Sequence, residues 1–454
     1  MINGIDKYLK KGMTVAVLGI GISNIPLIKI LDDCSVKIVV RDKRTKEDLK
    51  GIISQFDKTD ITYILGENYL DNLNEDVIFK TPGMRYDLPQ LVNARKNGSF
   101  ITSEMELFFE LCPAQIIGIT GSDGKTTTTT LISEMLKEQG YTVWLGGNIG
   151  TPLLSRVNDI SADDKVVVEL SSFQLHTMKK SPQISVITNI SPNHLDMHKD
   201  YEEYIDAKKN IMKYQSPSSR LVVNYDNEVT NGIGKEALGR VVYFSRKTKP
   251  DNGIYVQDDF ICVNGEKVLD VNKIKIPGWH NVENYMAAIG AVWGMADADT
   301  INKVAQTFDG VEHRIELVRE LDGVKYYNSS IDSSPNRTKN TLNVFNQKVI
   351  LISGGKDKGI PYDEIGPVIM EKAKTLILTG ATADVIEQAV IKASGGKDMP
   401  EIIRCTSYDE IVKTAKNKAQ PGDIVVLSPA STSFDMFRNF EERGKLFKKL
   451  VNEL

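Results

Sequence analysis

The sequence has few of the features that are typical of a secreted protein or of a protein stabilised by a structural metal ion. Only four of its 454 residues are cysteines, and they lie far apart with no CxxC pair. A disulfide framework and a cysteine-bound zinc site are therefore both disfavoured. We expect reduced thiols and a cytoplasmic location. The four are Cys34, Cys112, Cys262 and Cys405.

Long apolar runs and a surplus of one charge are also lacking. The N-terminal segment has too short an apolar run for a signal peptide, and no other segment reaches the roughly 18 apolar residues of a spanning helix. The 56 basic and 60 acidic residues leave a net charge of -4, whereas nucleic-acid-binding domains usually carry a basic excess. We therefore expect no membrane span and no nucleic-acid partner, and we expect a monomer.

Short apolar strands alternate with amphipathic helices along the whole chain, which predicts an α/β fold with parallel sheets. At about 150 residues per domain, the length suggests about three domains. We predict a Rossmann-like domain over residues 1–102, a central ATPase domain of the phosphate-loop type over residues 103–310, and a doubly wound domain over residues 311–454. Each would be built on a mainly parallel sheet.

The strongest local signal is GITGSDGKTTTTT, at residues 118–130. A predicted strand leads into a turn of small residues and then a helix, so backbone N–H groups can surround phosphate oxygens. Lys125 can reach the outer phosphates, and the Thr126 hydroxyl can bind Mg²⁺. Because Gly118 lies one residue earlier than the strict motif requires, a chance turn is the alternative. The predicted ATP-binding residues here are Gly121, Ser122, Asp123, Gly124, Lys125, Thr126 and Thr127.

Three more candidates follow predicted strands of the same block. Glu169 ends the strand of VVVEL, at the sheet edge where α/β proteins bind ligands, so its carboxylate suits a Mg²⁺ ligand or a general base. The alternative is a carboxylate that caps the next helix. His194 follows another strand and shares that edge with Lys125. Lys208 lies beside Lys209 on a helix, and such a lysine pair is usually a solvated face.

Single residues in three other motifs could have either an ordinary structural role or a functional one. Asn281 and Asn284 lie at a helix start, where they could bind adenine or ribose, although Asn281 could simply cap the helix. Arg314, in EHR, would clamp a transferring phosphoryl group if it lay near a triphosphate. Gly19 and Asp42 resemble the start of a dinucleotide fingerprint that lacks its third glycine.

Two segments of the last block follow predicted strands. GGKDKG, at residues 354–359, carries charged residues, and residues 427–444 carry several serines. Small hydroxyl side chains at a strand end can form a pocket for a polar, anionic ligand. The alternative is ordinary turn chemistry, in which Gly, Asp and Ser are common.

The order of the central motifs resembles that of the muramyl ligase family along essentially the whole chain: GSDGKTT, ELSSFQL, NISPNHLD, HNVEN and EHR. Within that family, the GIG of the first block, GGNIGTP and SPASTSFDMFRNFEERG favour D-glutamate and UDP-N-acetylmuramoyl-L-alanine as the substrates. The resemblance implies ATP-dependent amide formation through an acyl phosphate, in peptidoglycan precursor synthesis, with two Mg²⁺ ions.

The resemblance also implies a role for each matching residue. Lys125 and Thr126 would hold the phosphates and the first Mg²⁺, with Glu169 as a metal ligand. His194 and Lys208 would serve the second metal, Lys208 after carbamylation, which turns a cation into an anionic oxygen ligand. Asn281 and Asn284 would face adenine, and Arg314 the γ-phosphate. The implied catalytic set is Lys125, Glu169, His194, Lys208 and Arg314, and the implied metal set is Thr126, Glu169, His194 and Lys208.

The implied substrate residues fall into two groups. Those for the nucleotide-linked substrate are Gly19, Ile20, Asp42, Asn148, Ser171 and Gln174. Those for the amino acid are Ser333, Lys358, Ser433, Phe434 and Phe440. The chain departs from the family pattern at Ser329 and Lys356, where acids are common, and at Ser333, where a threonine is common; Asp332 could replace the acid missing at Ser329.

Three other functions fit parts of the sequence. A folylpolyglutamate-type ligase would share the central motifs, but its resemblance begins directly at the phosphate loop, without a Rossmann-like first domain. An NAD-dependent dehydrogenase would use Gly19 and Asp42, but the third glycine is missing and Lys125 lies in a separate loop. A nucleotide-binding regulator without catalysis is the third alternative. In the ligase, residues 309–310 are the predicted hinge for domain closure.

Overall fold

The computed structural model describes residues 2–21, 24–56, 60–192, 197–251, 253–357 and 359–454. In these residues the predicted α/β fold with three mainly parallel sheets is confirmed. Contacts divide the chain into two compact units, Met1–Ile274 with His280–Gln306, and Lys275–Trp279 with Thr307–Leu454. Across the described residues, no helix is both long and apolar enough to cross a membrane. The domain boundaries after residues 102 and 310 stay predictions.

The first sheet has five parallel strands, β1 (Thr14–Leu18), β2 (Lys37–Asp42), β3 (Ile61–Leu65), β4 (Val77–Lys80) and β5 (Phe100–Thr102). Their order is β3-β2-β1-β4-β5, so the chain changes direction across the sheet between β1 and β4, where Rossmann-like sheets bind ligands. Val15 and Val17 of β1 pack into one apolar cluster and Ala16 and Leu18 into another, so both faces are buried. The helices are α1 (Asn24–Asp33), α2 (Lys46–Ile53), α3 (Pro89–Lys96) and α4 (Glu104–Leu111).

The second sheet has nine strands, β6 (Gln115–Thr120), β7 (Val143–Gly147), β8 (Lys165–Glu169), β9 (Ile184–Ile187), β10 (Arg220–Asn224), β11 (Arg240–Ser245), β12 (Ile254–Gln257), β13 (Phe260–Val263) and β14 (Glu266–Asp270). Their order is β14-β13-β12-β11-β10-β9-β6-β8-β7, parallel except at β12-β13 and β13-β14. Because β6 lies between β8 and β9, residues that follow these three strands meet at one edge.

The helices of this part are α5 (Lys125–Glu138), α6 (Ser172–Leu175), α7 (Tyr201–Lys213), α8 (Glu228–Lys235), α9 (Trp279–Val292) and α10 (Ala298–Thr307). The apolar face of α5 faces the core, because Leu131, Ile132, Met135 and Leu136 are all fully buried. Gly140, with φ +101°, follows the end of this helix, where a glycine commonly adopts a positive φ. The alternative in which Asn281 caps α9 is wrong, because α9 begins two residues earlier and buries Asn281.

The third sheet has six strands, β15 (Glu316–Leu321), β16 (Val324–Asn328), β17 (Val349–Gly354), β18 (Ala373–Thr379), β19 (Glu401–Arg404) and β20 (Ile424–Leu427). Their order is β15-β16-β20-β17-β18-β19, with only β15 antiparallel to its neighbour. Leu351 of β17 packs into one apolar cluster, and Ile350 and Ile352 pack into another, as in a doubly wound sheet. The helices are α11 (Pro335–Leu342), α12 (Ile365–Lys372), α13 (Ala383–Ser394), α14 (Tyr408–Lys418) and α15 (Phe440–Asn452).

Candidate active site

The turn between β6 and α5 has the strand–turn–helix arrangement that is typical of a phosphate loop. Gly121 and Gly124 have φ of +151° and +78°, which L side chains rarely adopt. A Cβ at position 121 would lie 1.9 Å from Oγ1 of Thr188, and one at position 124 would lie 2.3 Å from Oδ1 of Asn284. Both glycines are therefore required by the backbone and by close neighbours.

Lys125 lies at the start of α5, where its ammonium group folds back over the loop. Its Nζ donates to the carbonyl oxygens of Gly121 and Ser122 at 2.9 and 2.8 Å. Carbonyl oxygens are weaker partners for an ammonium than phosphate oxygens are. The arrangement therefore leaves Lys125 able to exchange these bonds for a phosphate in the loop.

Hydrogen bonds to the segment that follows a neighbouring strand fix the shape of the loop. The Ser122 hydroxyl donates to the carbonyl oxygen of Ser191 at 3.0 Å, and Oδ1 of Asn189 accepts from the Asp123 amide at 3.0 Å. Residues 189 and 191 follow β9. The loop is thus held by the segment that follows β9, at the same edge of the sheet. Thr127, the last predicted residue of the loop, is buried in the first turn of α5.

Thr126 and Glu169 are joined directly. The Thr126 hydroxyl donates to Oε2 of Glu169 at 2.7 Å, and Nδ2 of Asn148 donates to Oε1 at 2.8 Å. Glu169 ends β8 as predicted and is 2% exposed. A buried carboxylate and a hydroxyl beside a phosphate loop form an oxygen donor set of the kind that Mg²⁺ takes.

Lys208 is buried, whereas its sequence neighbour Lys209 is not. Nζ of Lys208 donates to the carbonyl oxygen of Gly121 at 2.8 Å and to Oγ1 of Thr120 at 3.2 Å. Burial, with the nearby positive charge of Lys125, holds the pKa of Lys208 well below its ordinary value. A lysine in this position has an accessible neutral form, which is the nucleophilic form of an amine.

Asn281 and Asn284 lie on one face of α9, and both are buried. Nδ2 of Asn284 donates to Oδ1 of Asn281 at 3.1 Å, and Oδ1 of Asn284 accepts from the Thr128 hydroxyl at 3.3 Å. Asn284 is thus packed against the phosphate loop and the first turns of α5. A role for either residue at adenine stays a prediction.

Ser171 and Gln174 cap a helix. The Ser171 hydroxyl accepts from the Gln174 amide, and Oε1 of Gln174 accepts from the Ser171 amide at 2.9 Å, which is a capping box at the start of α6. This pairing accounts for the SSFQ sequence structurally. Contact of either residue with a substrate stays a prediction.

The N-terminal sheet carries an ion pair at the predicted dinucleotide-like motif. The carboxylate of Asp42 accepts from the Ile20 amide at 2.8 Å and from Nη2 of Arg44 at 2.7 Å. Although burial opposes ionisation, hydrogen bonds from Arg44 and from backbone amides outweigh it and hold the pKa of Asp42 below its ordinary value. Gly19, with φ +83°, begins the turn that brings Ile20 to this carboxylate.

This chain is similar to known proteins along nearly its whole length. The Mur ligase middle domain matches residues 119–292, and the Mur ligase glutamate ligase domain matches residues 313–431. A UDP-N-acetylmuramoylalanine–D-glutamate ligase from Acetivibrio thermocellus is 58% identical, over 98% of this chain and 97% of its own. Its namesakes from Ruminiclostridium cellulolyticum and Clostridium kluyveri are 54% and 50% identical, over 100% and 99% of this chain and 100% and 98% of their own.

This chain belongs to the Mur ligase family. It is therefore an ATP-dependent, peptide-forming ligase of peptidoglycan precursor synthesis, as the motif order implied. Among solved structures, the UDP-N-acetylmuramate–alanine ligase from Thermotoga maritima has a TM-score of 0.61 at 18% identity, over 97% of this chain and 99% of its own. That likeness shows a shared Mur ligase fold.

Two residues of this Mur ligase make contacts that were not predicted from the sequence. The Tyr204 hydroxyl lies 3.0 Å from Oγ of Ser122, and its ring centroid lies 4.8 Å from Nζ of Lys208. Thr120, the last residue of β6, accepts from Lys208 and donates to a main-chain oxygen. The spacing of four residues between Tyr204 and Lys208 places both on one face of α7, and this was the available signal.

The structure describes only part of the predicted metal set of this Mur ligase. His194 lies outside the described residues. In the described part of the chain, no three His, Cys, Asp or Glu side chains are grouped closely enough to hold a metal. Thr126 and Glu169 nevertheless fit one Mg²⁺, because their oxygens meet beside the phosphate loop and because Mg²⁺ commonly completes its shell with water and substrate phosphate oxygens.

Arg314 belongs to the second compact unit, where its two sequence neighbours have unusual backbone angles. His313 and Ile315 have φ of +65° and +47°, a region that a β-branched residue rarely adopts. Hydrogen bonds hold this bend, because the His313 amide donates to Oε2 of Glu316 at 2.8 Å. Backbone strain of this kind is often found at functional sites. A role for Arg314 at the γ-phosphate stays a prediction.

The predicted amino-acid residues of the second unit differ in exposure. Ser433 is buried, Ser333 and Phe440 are half-buried, and Phe434 is 61% exposed. Lys358 lies outside the described residues. Of the positions that depart from the family pattern, Ser329 is fully buried, and Lys356 exchanges two main-chain hydrogen bonds with Thr432. Contact of any of these residues with an amino acid stays a prediction.

Proposed function

We propose that this Mur ligase joins D-glutamate to UDP-N-acetylmuramoyl-L-alanine at the expense of ATP. The observation that carries the proposal is the identity of 58% to a ligase of that name over 98% of this chain. That span includes both the first sheet and the loops of the third sheet, which are the regions predicted for the two substrates.

The proposed reaction has two steps that balance without an additional reactant. The carboxylate of the L-alanine residue attacks the γ-phosphorus of ATP, so an acyl phosphate forms and ADP leaves. The amine of D-glutamate then attacks the acyl carbon, phosphate leaves, and the amine nitrogen loses a proton. Lys125 would neutralise charge on the outer phosphates in the first step, which is an electrostatic role that mutation usually exposes as a large loss of rate.

Separate residues would hold the metal ions and the nucleotide. Thr126 and Glu169 would hold one Mg²⁺, which would screen the phosphate charge. A second Mg²⁺ would use His194 and a carbamylated Lys208. The burial of Lys208 supports this assignment, because a neutral amine can add to the carbon of CO₂ and lose a proton to leave an anionic carbamate. Asn281, Asn284 and Arg314 would hold the nucleotide.

The two substrates would be bound by the N-terminal and C-terminal parts of the sequence. Residues 1–102 would hold the uridine diphosphate part through Gly19, Ile20 and Asp42, and residues 311–454 would hold D-glutamate. Residues 103–310 would bind ATP. Asn148, Ser171 and Gln174 would face the sugar–peptide part of the acceptor. We infer that the enzyme works as a monomer in the cytoplasm.

The test is phosphate release from ATP with UDP-N-acetylmuramoyl-L-alanine and a panel of amino acids. The panel contains D-glutamate, L-glutamate, L-alanine, L-lysine and meso-diaminopimelate. We expect release with D-glutamate alone, and we expect Lys125→Ala to abolish it. Release with a different amino acid would move the specificity and leave the ATP chemistry in place. Near-normal release from Lys125→Ala would contradict the role of the phosphate loop.

A further inference from the structure

A carboxylate and three hydroxyl groups meet inside the second compact unit. Asp332 follows β16 and is 5% exposed. Its Oδ2 accepts hydrogen bonds from Oγ of Ser428 and Oγ1 of Thr341, both at 2.7 Å. Oγ of Ser428 also lies 2.8 Å from Oγ1 of Thr338. Since a serine hydroxyl has one hydrogen, which here goes to the carboxylate, Thr338 is the donor in this last bond.

These four residues come from three separate parts of the fold. Ser428 directly follows β20, Asp332 lies in the loop after β16, and Thr338 and Thr341 lie on α11. The strands β16 and β20 are parallel neighbours, so their following loops leave the sheet at the same edge. The carboxylate of Asp332 therefore fastens two adjacent loops and a helix to one point.

The two loops joined in this way carry predicted pocket residues. The loop after β16 contains Ser333, and the loop after β20 contains Ser433. A buried arginine spans the same loops, because Arg443 donates to the carbonyl oxygens of Ser330 at 2.8 Å and Ser431 at 3.2 Å. Its side chain is in the core, with an exposed fraction of 1%.

The negative charge of Asp332 is compatible with this arginine. Burial lowers the pKa of Arg443, and Asp332 is among the anionic groups that oppose this effect. The carboxylate thus has two hydroxyl donors and a cation in the same region. Because Oδ2 already accepts two short bonds and the side chain is buried, Asp332 is suited to holding protein groups in place.

We propose that Asp332 is a positioning residue for the amino-acid pocket, which holds the loop of Ser333 against the loop of Ser433 without touching the substrate. The proposal rests on the proposed function and adds a residue to it. Removing the carboxylate leaves the hydroxyls of Ser428 and Thr341 buried without their acceptor, which favours rearrangement of both loops.

Steady-state kinetics of Asp332→Ala test the proposal. We expect the KM for D-glutamate to rise roughly 10- to 100-fold, because small displacements of positioning groups have effects of that size. The KM for UDP-N-acetylmuramoyl-L-alanine should stay near the wild-type value. Asp332→Asn, which keeps an acceptor oxygen for both hydroxyls, should recover most of the loss. Asp363→Ala, which removes an exposed aspartate of the same unit, is the matched control.

Several outcomes would overturn the proposal. An unchanged KM for D-glutamate in Asp332→Ala would do so, as would an equal rise of the KM for both substrates. A rise confined to the KM for ATP would place Asp332 at the nucleotide instead. Ser428→Ala removes one donor with a smaller disturbance of the core, and it should change the KM for D-glutamate in the same direction even if Asp332→Ala does not fold.

Failure of the proposed function is separable from failure of this inference. If the wild-type enzyme uses another amino acid of the panel, the KM of each variant is compared with that of the wild type for that amino acid. If it uses none, hydrogen exchange of residues 329–334 and 428–433 is compared between wild type and Asp332→Asn or Ser428→Ala. We expect faster exchange in both segments of Ser428→Ala and little change in Asp332→Asn. Unchanged exchange in Ser428→Ala would overturn the positioning role.

Discussion

Thr126 donates its hydroxyl hydrogen to the carboxylate of Glu169 across 2.7 Å, which joins the helix after the phosphate loop to the end of a neighbouring strand. The other carboxylate oxygen is held by Asn148. The carboxylate is thus oriented from both sides by protein groups. Preorganised charge of this kind avoids the cost of reorientation during a reaction.

Replacement of Glu169 by glutamine tests this arrangement. The amide oxygen can still accept from Thr126, but the negative charge that would attract Mg²⁺ is lost. We expect turnover to fall by roughly 100-fold or more, a loss typical of electrostatic groups in active sites. Phosphate release should be measured over a range of Mg²⁺ concentrations, with thermal unfolding as the control for folding. Wild-type turnover at limiting Mg²⁺ would contradict a metal-binding role.

Gly124→Ala should abolish ATP binding. Its Cβ would lie 2.3 Å from Oδ1 of Asn284, and its φ of +78° disfavours any L side chain. Gly140→Ala is a matched control, because φ is also positive there, +101°, while no atom lies within 4 Å of the added carbon. This control should lose about 1 kcal/mol of stability and keep nucleotide affinity. Titration calorimetry with a non-hydrolysable ATP analogue measures both variants, and equal affinities would refute the packing argument.

Lys208 should form a carbamate that Lys209 does not form. The buried amine of Lys208 has a depressed pKa and therefore a larger neutral fraction, whereas Lys209 pairs with Glu236 near the surface. We expect one carbamate ¹³C resonance after incubation with ¹³C-bicarbonate. The resonance should be lost in Lys208→Arg and retained in Lys209→Gln. A signal that survives in Lys208→Arg would assign the modification to another amine.

Glu104 should make stability depend on pH. Burial raises the pKa of Glu104 from 4.5 to about 7, and the Leu154 amide is its hydrogen-bond donor. A folded-state pKa above the unfolded value means that its contribution to stability is full below pH 4.5 and is lost as pH rises through about 7. Glu104→Gln removes this loss, so its free energy of unfolding should exceed that of wild type by up to about 3 kcal/mol at pH 8.

Urea unfolding at pH 5 and pH 8 measures the effect of Glu104→Gln. Glu110→Gln, on the same helix but exposed, is the matched control and should not show the pH-dependent gain. If the difference between Glu104→Gln and wild type is the same at both pH values, Glu104 does not carry a raised pKa. The measurement needs no substrate, so it is independent of the proposed reaction.

Features of strands and loops that depend only on residues near one another in the sequence could be predicted. The helix that begins at Lys125 after a turn of small residues and the position of Glu169 at a strand end follow from local patterns, and the structure has both elements. The burial of Lys208 was missed, because a lysine pair is usually solvated. The pattern of α7 contained the correct signal, since Tyr204, Lys208 and Ile211 recur at helical spacing on its buried face.

Contacts between distant parts of the chain could not be predicted from local patterns. Nothing near Gly124 indicates that Asn284 will occupy the space behind it. In the same way, Asp332 and Ser428 lie far apart in the chain. Each of them alone resembles an ordinary turn residue. The edge strand β15 is half-exposed along most of its length, which weakens the apolar alternation that marks a strand in a sequence.

The contact of Asn284 with the phosphate loop has a consequence for how the protein is made. Thr128 and Asn284 are hydrogen-bonded, yet they lie 156 residues apart in the chain. At ordinary rates of synthesis roughly 8–30 s pass between their addition to the nascent chain. During that interval the loop can form its turn but lacks the side chain that packs behind Gly124. A nascent chain would therefore gain its complete nucleotide site only after α9 has left the ribosome, late in translation.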